Sequence, residues 1–374
     1  MANKHLHIVC LDVPYPPDYG GVFDLFYKLR ALREQGVSIH LHCFEYGRGR
    51  HNELNKYCTS VEYYTRKSFT KSFSLRVPYI VRSRANNRLL QNLSKDDYPI
   101  LLEGIHCTWF LYAGLLEDRK ILLRLHNVEF QYYRQLAFTE KNILKKIYLL
   151  TESILLKKYE SNIANLCPII TVSEDDKITY EKIFNAKEVK YLPVFLPSGD
   201  VELNTGIGTY CLYHGNLSVS ENERAVVWLI KEIFAKLSMP FVIAGKNPSK
   251  KLCLLASRYK NISISANPSQ DEIAALIKNA QVHTIPSFNN TGIKIKLLNA
   301  LFHGRHIITN TAGVQGTGLE TFCNIANSAG DFKHTITALK EKPFDLTERD
   351  RRKDYLEKVY DNNANASRLI TWIW

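Results

Sequence analysis

The segment Tyr191-Leu-Pro-Val-Phe-Leu-Pro-Ser-Gly-Asp-Val-Glu-Leu-Asn-Thr-Gly-Ile-Gly208 decides how the chain is read, because it interrupts a regular alternation of strand-like and helix-like runs. Its prolines and glycines place a linker at 194–208. Upstream, His5–Val13, Ser38–Phe44, Val61–Thr65, Ile100–Glu103, Ile121–Leu125 and Ile169–Val172 read as strands. Helical patterns lie between them, the first over Val22–Gln35 and the longest from about Glu140 to Asn165. Downstream the alternation restarts, with strands expected at Tyr210–His214, Phe241–Ala244, Ile262–Ile264, Val282–Ile285 and His306–Thr309 and a helix over Glu223–Leu237. The order implies an α/β chain of two Rossmann-like, doubly wound domains that face each other across a cleft. Ligands in such sheets bind at the carboxyl ends of the strands. The expected domains are 1–193 and 209–345. A charged helical stretch, 346–374, ends in Leu369-Ile-Thr-Trp-Ile-Trp374 and is expected to pack back on the first domain.

The composition agrees with a globular protein of two domains: 374 residues, 45% hydrophobic and 23% charged. No apolar run reaches the length of a transmembrane helix, and the N-terminus enters a strand pattern with no signal peptide, so the expected location is cytoplasmic. The eight cysteines are scattered from Cys10 to Cys323 without a CxxC pair or zinc spacing, which reads as reduced, mostly buried thiols. The net charge is +12. From Arg66 to Arg88 the basic residues Arg66, Lys67, Lys71, Arg76, Arg82, Arg84 and Arg88 occur with no acidic one, interleaved with Phe69, Phe73 and Tyr79. That mixture fits an anionic membrane face, hence a peripheral position on the inner face of the plasma membrane; it also fits a nucleic-acid groove or a solvated basic loop. No nucleic-acid recognition motif accompanies it, and no nucleic-acid partner is expected.

The stretch Asn290-Thr-Gly-Ile-Lys-Ile-Lys-Leu-Leu-Asn-Ala-Leu-Phe-His-Gly304 reads as a helix with Ile293, Leu297 and Leu301 on one face and Lys294 and Lys296 in its first turn. Cations there oppose the positive end of the helix dipole. A bound anion would reverse that penalty, because amides, dipole and two ammonium groups would converge on it, so the segment is read as a diphosphate site. Other candidates follow strands. Gly20 and Gly21 precede the first helix and would let a ligand approach the backbone, or make a tight turn. His126 and Glu129, in Arg124-Leu-His-Asn-Val-Glu129, could contact a sugar hydroxyl and exchange a proton, or form a structural pair. Gly215 and Asn216, Gly245, and the loop Ile285-Pro-Ser-Phe-Asn-Asn-Thr-Gly292 place small and polar residues at later strand ends.

Taken in order, the Pro-Pro-Asp-Tyr-Gly-Gly loop, His126-Asn-Val-Glu129, Thr171-Val-Ser-Glu174, Tyr213-His-Gly-Asn-Leu-Ser218, Ile243-Ala-Gly245 and Thr291-Gly-Ile-Lys-Ile-Lys-Leu-Leu-Asn-Ala300 resemble the family 4 glycosyltransferases of the GT-B fold, most closely those that build bacterial surface polysaccharides. The resemblance spans nearly the whole chain. It implies retaining transfer of a hexose from a UDP- or GDP-sugar to a glycan or lipid-linked acceptor, with no metal and no resident cofactor. It gives catalytic roles to His126, Glu129 and Lys296. It places the donor on Gly20, Gly21, Gly215, Asn216, Gly245, Pro286, Thr291, Gly292, Lys294, Lys296 and Asn299. The acceptor would meet first-domain loops, where Glu103, His106 and Trp109 are candidates. The sequence departs from the family at Thr291 and Asn299, where two glutamates eight positions apart are usual, and at Asn216 and Asn222, where an arginine and a lysine are usual. A nucleotide-sugar 2-epimerase shares the architecture, and a catalytically impaired sugar-nucleotide- or glycan-binding protein would fit the missing glutamates.

Overall fold

The run Leu6-His-Ile-Val-Cys10 is largely apolar and is buried on both sides of a strand, and such runs belong inside a parallel sheet covered on both faces. The computed structural model describes residues 4–17, 20–197, 201–289, 292 and 294–374. There the run lies in β1 (Lys4–Cys10), an interior strand. The others in the same sheet are β2 (Val37–Glu45), β3 (Ser60–Thr65), β4 (Ile100–Glu103), β5 (Ile121–Leu125), β6 (Ile169–Thr171) and β7 (Val189–Tyr191). All pairings are parallel in the order β3-β2-β1-β4-β5-β6-β7, which reverses direction between β1 and β4. A second parallel sheet contains β8 (Cys211–His214), β9 (Phe241–Gly245), β10 (Ile262–Ala266), β11 (Val282–Ile285), β12 (His306–Thr309) and β13 (Asn324–Ile325). Its order is β10-β9-β8-β11-β12-β13, with the reversal between β8 and β11.

The chain divides into two units, 1–198 with 360–374, and 199–359. The last segment is two helices, not one. Leu346–Val359 belongs to the second unit, where fully buried Arg352 donates to the carbonyls of Gly304 (2.9 Å) and Arg305 (2.8 Å). Asn362–Ile373 belongs to the first, and Asp361 caps it by accepting from the amides of Asn363 and Ala364. Its Ala366, Leu369, Ile370 and Ile373 are buried with Leu25 and Leu29 of the Gly20–Glu34 helix against one sheet face. The other face is covered by Leu156, Tyr159 and Ile163 of the Ile143–Ile163 helix. The expected linker is not a loose tether: Phe195, Val201 and Leu203 are buried, and Gly206 bridges Phe344.

One face of β1 and β2 carries a chain of histidines. Asn92 Nδ2 donates to the Tyr64 hydroxyl (2.7 Å), which lies 2.8 Å from His42 Nδ1. His42 Nε2 is 2.8 Å from His7 Nδ1, and His7 Nε2 is 2.9 Å from Asp96. One neutral tautomer at each ring satisfies every link. Burial pushes the His42 imidazole down to about 3 and lowers His7 and His40 as well, so the chain is uncharged near neutral pH. All eight cysteines are free; five are buried and Cys253 is exposed. No helix among the described residues is long and apolar enough to cross a membrane.

Candidate active site

Each sheet gathers polar groups at the carboxyl ends of its strands beside its order reversal. In the second unit, β8 ends in Tyr213-His214 and turns at Gly215, whose φ of +156° few side chains adopt. β9 ends in Gly245, where an added Cβ would lie 1.8 Å from the Gly215 carbonyl oxygen, so only glycine lets the two loops touch. The Gly215 amide donates to the Ala244 carbonyl (3.0 Å), and Leu217 to that of Lys246 (2.9 Å). Asn216 accepts from the amide and hydroxyl of Ser218, which holds the loop as a turn.

Across from these loops lies the helix Ile295–His303. Asn290, Thr291 and Ile293 lie outside the described residues, so the Thr291 contact and part of the apolar face have no structural account. Gly292 has a φ of +66°, and Lys294 is the N-cap. Lys296 remains in the first turn. Its ammonium donates to the Tyr213 hydroxyl (2.9 Å) and Asn222 Oδ1 (2.6 Å) and lies 5.0 Å from the Tyr213 ring centroid. Asn222 in turn donates to the Asn216 carbonyl (2.8 Å). Burial pulls Lys296 down to about 8, against the opposing field of Glu221. Beneath it, buried His214 has no hydrogen-bond partner at either ring nitrogen among the described residues and is pushed down to about 3, by burial first and by Lys296 second. Pro286 is buried at the end of β11, and Ser287 Oγ donates to the Asn289 carbonyl (2.7 Å) and lies 3.4 Å from Glu221. Asn299, half-buried, lies one turn beyond Lys296.

Sequence reasoning gave Asn222 only as the place of a missing cation, and did not select Tyr213 or Glu221. The structure brings Lys296 to Asn222 from another element. The available signal was a lysine in an otherwise apolar helix opposite the altered position.

In the first unit, Gly20 and Gly21 open the Gly20–Glu34 helix, and Asp24 lies one turn in. Asp24 is fully buried. It accepts from Arg124 Nε and NH2 (3.0 Å each), Lys28 Nζ (3.0 Å) and the Phe195 amide (2.7 Å). Lys28 also pairs with Glu103 (2.7 Å), and Glu103 meets His126 Nε2 at 3.0 Å. Burial alone would raise the Asp24 carboxyl, but Arg124 and Lys28 hold it far below the usual carboxylate range. Glu103 is likewise lowered, through Lys28 and His126. Parallel register sets Glu103 beside Arg124. Asp24, Glu103 and His126 have the spacing of a metal-ligand triad, but Lys28 and Arg124 already bring two positive charges to the same carboxylates, so the group does not fit a metal ion.

The alternative of a structural His126–Glu129 pair is not found, since His126 meets Glu103 instead. Glu129 begins the Glu129–Thr139 helix, buried, and the charged groups acting on it are Glu160 and Asp176, with Arg84 opposing them more weakly. Glu160 accepts from the amides of Glu129 (2.9 Å) and Phe130 (3.0 Å) and from the Tyr180 hydroxyl (2.8 Å), capping that helix. Burial and Glu160 push Glu129 up to about 8, so it carries a proton at neutral pH, the wrong state for accepting one. Glu103, expected at the acceptor, is spent on Lys28 and His126. His106 and Trp109 are part-buried on the segment that follows it.

The Arg66–Arg88 segment is largely tied down. Arg84 is buried and donates to the Ile80 and Leu11 carbonyls, Arg66 stacks on Tyr46, Arg82 donates to the Phe73 carbonyl, and Arg88 pairs with Glu62. Lys67, Lys71 and Arg76 remain exposed.

Residues 208–341 match the family model described as glycosyl transferases group 1. The chain is 25% identical over 335 residues to an uncharacterised 44.6 kDa protein in the cps region of Klebsiella pneumoniae, covering 83% of this chain and 84% of that one. Among solved structures it resembles Anabaena Alr3699/HepE in complex with UDP and glucose, with a TM-score of 0.66, 11% identity and 98% of each chain covered. It also resembles a glycosyltransferase from Rickettsia africae, with a TM-score of 0.67, 13% identity, and 100% of this chain and 98% of that one covered.

Proposed function

Because residues 208–341 match the group 1 glycosyltransferase model and the chain has the GT-B fold, we propose that it is a glycosyltransferase that transfers a hexose with retention from a UDP- or GDP-sugar to a glycan or lipid-linked acceptor. The observation that carries the donor site is the Lys296 ammonium, held 2.9 Å from the Tyr213 hydroxyl near the end of β8 and 2.6 Å from Asn222 on the Ser220–Trp228 helix that follows. The family's usual lysine is absent at 222, yet a cation stands beside that position, delivered from the Ile295–His303 helix. A departing nucleoside diphosphate gains negative charge, and a preorganised ammonium at a helix start stabilises it where water is partly excluded. Gly215 and Gly245 keep the facing loops close without side chains in the way. Gly292, Lys294 and Asn299 extend the donor site, with Thr291 and Pro286 on the same loop. His126, fixed by Glu103, is the residue of the first unit best held to meet the donor sugar; Gly20 and Gly21 supply backbone near it. Glu129 is reassigned from proton acceptor to helix start. Acceptor recognition falls to the first unit around His106 and Trp109.

The HepE complex supports UDP as the nucleotide, and the Klebsiella relative supports a place in surface-polysaccharide synthesis. Exposed Lys67, Lys71 and Arg76 support an anionic membrane surface as a further partner. The test is a panel of UDP- and GDP-sugars, read as thermal shift and as release of the nucleoside diphosphate. Lys296→Ala should cut turnover by about 10²–10³ with the fold intact. Near-normal turnover in that variant would remove Lys296 from the site.

A further inference from the structure

Most helices of a doubly wound domain have one apolar face, which meets the sheet. The Ile143–Ile163 helix has two. Leu156, Tyr159 and Ile163 are buried in the core. Ile143, Ile147, Leu150 and Ile154, spaced four, three and four residues apart, form a second stripe on another side. Ile143 is 73% exposed and Ile154 72% exposed, and neighbouring Leu144 and Phe138 are exposed as well. The Phe69 ring, 6.0 Å from that of Tyr148, joins the start of this stripe to the Arg66–Arg88 segment.

Toward its far end the stripe enters a groove between this helix and the helices Glu129–Thr139 and Glu174–Phe184. Its volume is about 530 Å³, within the range that holds small molecules, about 300–1,000 Å³. Phe130, Leu150, Ile154 and Phe184 line it. Its charged lining residues are all cations: Arg134, Lys157 and Lys158. Lys157 lies 5.7 Å from the Phe130 ring centroid and Arg134 5.7 Å from that of Phe138. Among the described residues none of the three is in an ion pair. At the near end Lys141 and Lys145 are exposed.

We propose that this face lies on an anionic phospholipid bilayer, with one lipid's acyl chain in the groove and its phosphate against Arg134, Lys157 and Lys158. The proposal deepens the reading of a membrane surface as partner and gives it a site outside the donor and acceptor residues. Apolar side chains ringed by lysines are the composition that partitions into a headgroup boundary, where chains take the isoleucines and phosphates take the ammonium groups. A second copy of this chain is a poorer occupant. It would bring three unpaired cations against three more across a twofold contact, and like charges in a shared apolar interface repel.

Co-sedimentation of the full chain tests it, using vesicles of phosphatidylcholine alone and of phosphatidylcholine with phosphatidylglycerol, at low and high salt. Wild-type protein should bind the phosphatidylglycerol vesicles at low salt and release as salt rises. Binding should fall about tenfold or more in Ile154→Glu and in Lys157→Glu/Lys158→Glu. Release of nucleoside diphosphate from a soluble donor should stay unchanged in both, which separates this proposal from the donor-site reading and shows that the variants fold. Equal binding by variants and wild type, or equal binding to the two vesicle types, would overturn it. So would a dimer in sedimentation equilibrium that Ile154→Glu dissolves, since a second copy would then be the occupant. Saturation by a free monoacyl phosphate without vesicle binding would also overturn the bilayer assignment.

Discussion

At the strand ends of the first unit, two carboxylates, Asp24 and Glu103, meet two cations, Lys28 and Arg124, and the buried charges cancel. At the strand ends of the second, Lys296 stands among neutral partners, the Tyr213 hydroxyl and Asn222, with the carboxylate of Glu221 acting only through its field. The sheets are built alike, so the difference lies in what each leaves unfinished. A closed network has no need of a ligand and serves to fix its members, here His126. A cation held by dipoles alone keeps most of its attraction for an incoming anion. Similar helix-start placement therefore reads differently in the two units: Asp24 compensates internal cations, whereas Lys296, under the proposed function, meets the charge of the donor.

The largest effect should come from opening the closed network. Asp24→Ala leaves Lys28 and Arg124 facing one carboxylate, and removing one member of a buried charge set typically costs about 3–5 kcal/mol. The expected result is early unfolding of the first unit in urea, seen as lost hydrogen-exchange protection in β4 and β5, while β8, β9 and β11 keep theirs. An unshifted midpoint would mean that the network is not what holds these strand ends. The Lys296→Ala loss of about 10²–10³ in turnover comes next, and it should leave protection in both units alone. Together the two variants test whether balanced charge stabilises and unbalanced charge binds.

Acid should separate the units next. In the second, burial lowers His214, His283, His303 and His306, and no buried carboxyl is raised among the described residues. These rings stay neutral when folded but take protons when unfolded, so their stability is full above about pH 6.5 and is lost as pH falls below it. A fully buried neutral histidine should lose about 2 kcal/mol between pH 6.5 and 5. In the first unit His7, His40, His42 and His106 act in the same direction. Glu129, Glu160 and Glu152, pushed up to about 8, 7 and 7, act against them. Folded, they keep protons that the unfolded chain releases above about pH 4.5, so their contribution grows as pH falls toward that value. Hydrogen exchange followed from pH 7 to 5 should therefore show the second unit opening first. The reverse order would mean that the histidine chain outweighs the carboxyls.

How much of this could be read beforehand follows from where the signals sit. Eleven strands, β1 to β6 and β8 to β12, announce themselves as apolar runs between turns, whereas β7 (Val-Lys-Tyr) and β13 (Asn-Ile) are too short and too polar to stand out. The division of the terminal helical stretch is hidden because Asp361 resembles the polar residues around it, and only its capping of Asn363 and Ala364 marks a second start. In the second unit the loops proposed to hold the donor carry local signals, glycine after a strand and lysine at a helix start. The first-unit network was not, because Asp24, Glu103 and Arg124 lie far apart in the chain. Yet a charge inside Ile-Leu-Leu-Glu103 or Ile-Leu-Leu-Arg124-Leu, on a strand buried on both faces, demands a partner, and that demand was the available clue.

The smallest effect is also the most direct reading of the open site. Lys296 is held at about 8 by burial, so it is mostly charged at pH 7 and mostly neutral at pH 9. Only the charged form attracts a diphosphate. The KM for the sugar nucleotide should therefore be flat below about pH 7.5 and rise about tenfold per unit well above 8, with kcat changing less. Lys296→Arg keeps its charge through this range. Its KM should be higher at pH 7, because the planar fork does not fit between the Tyr213 hydroxyl and Asn222 as an ammonium does, but it should stay level to pH 9. A rise of the same steepness in Lys296→Arg would assign the titration to another group, and the second unit's cation would then be as fully compensated as the first unit's.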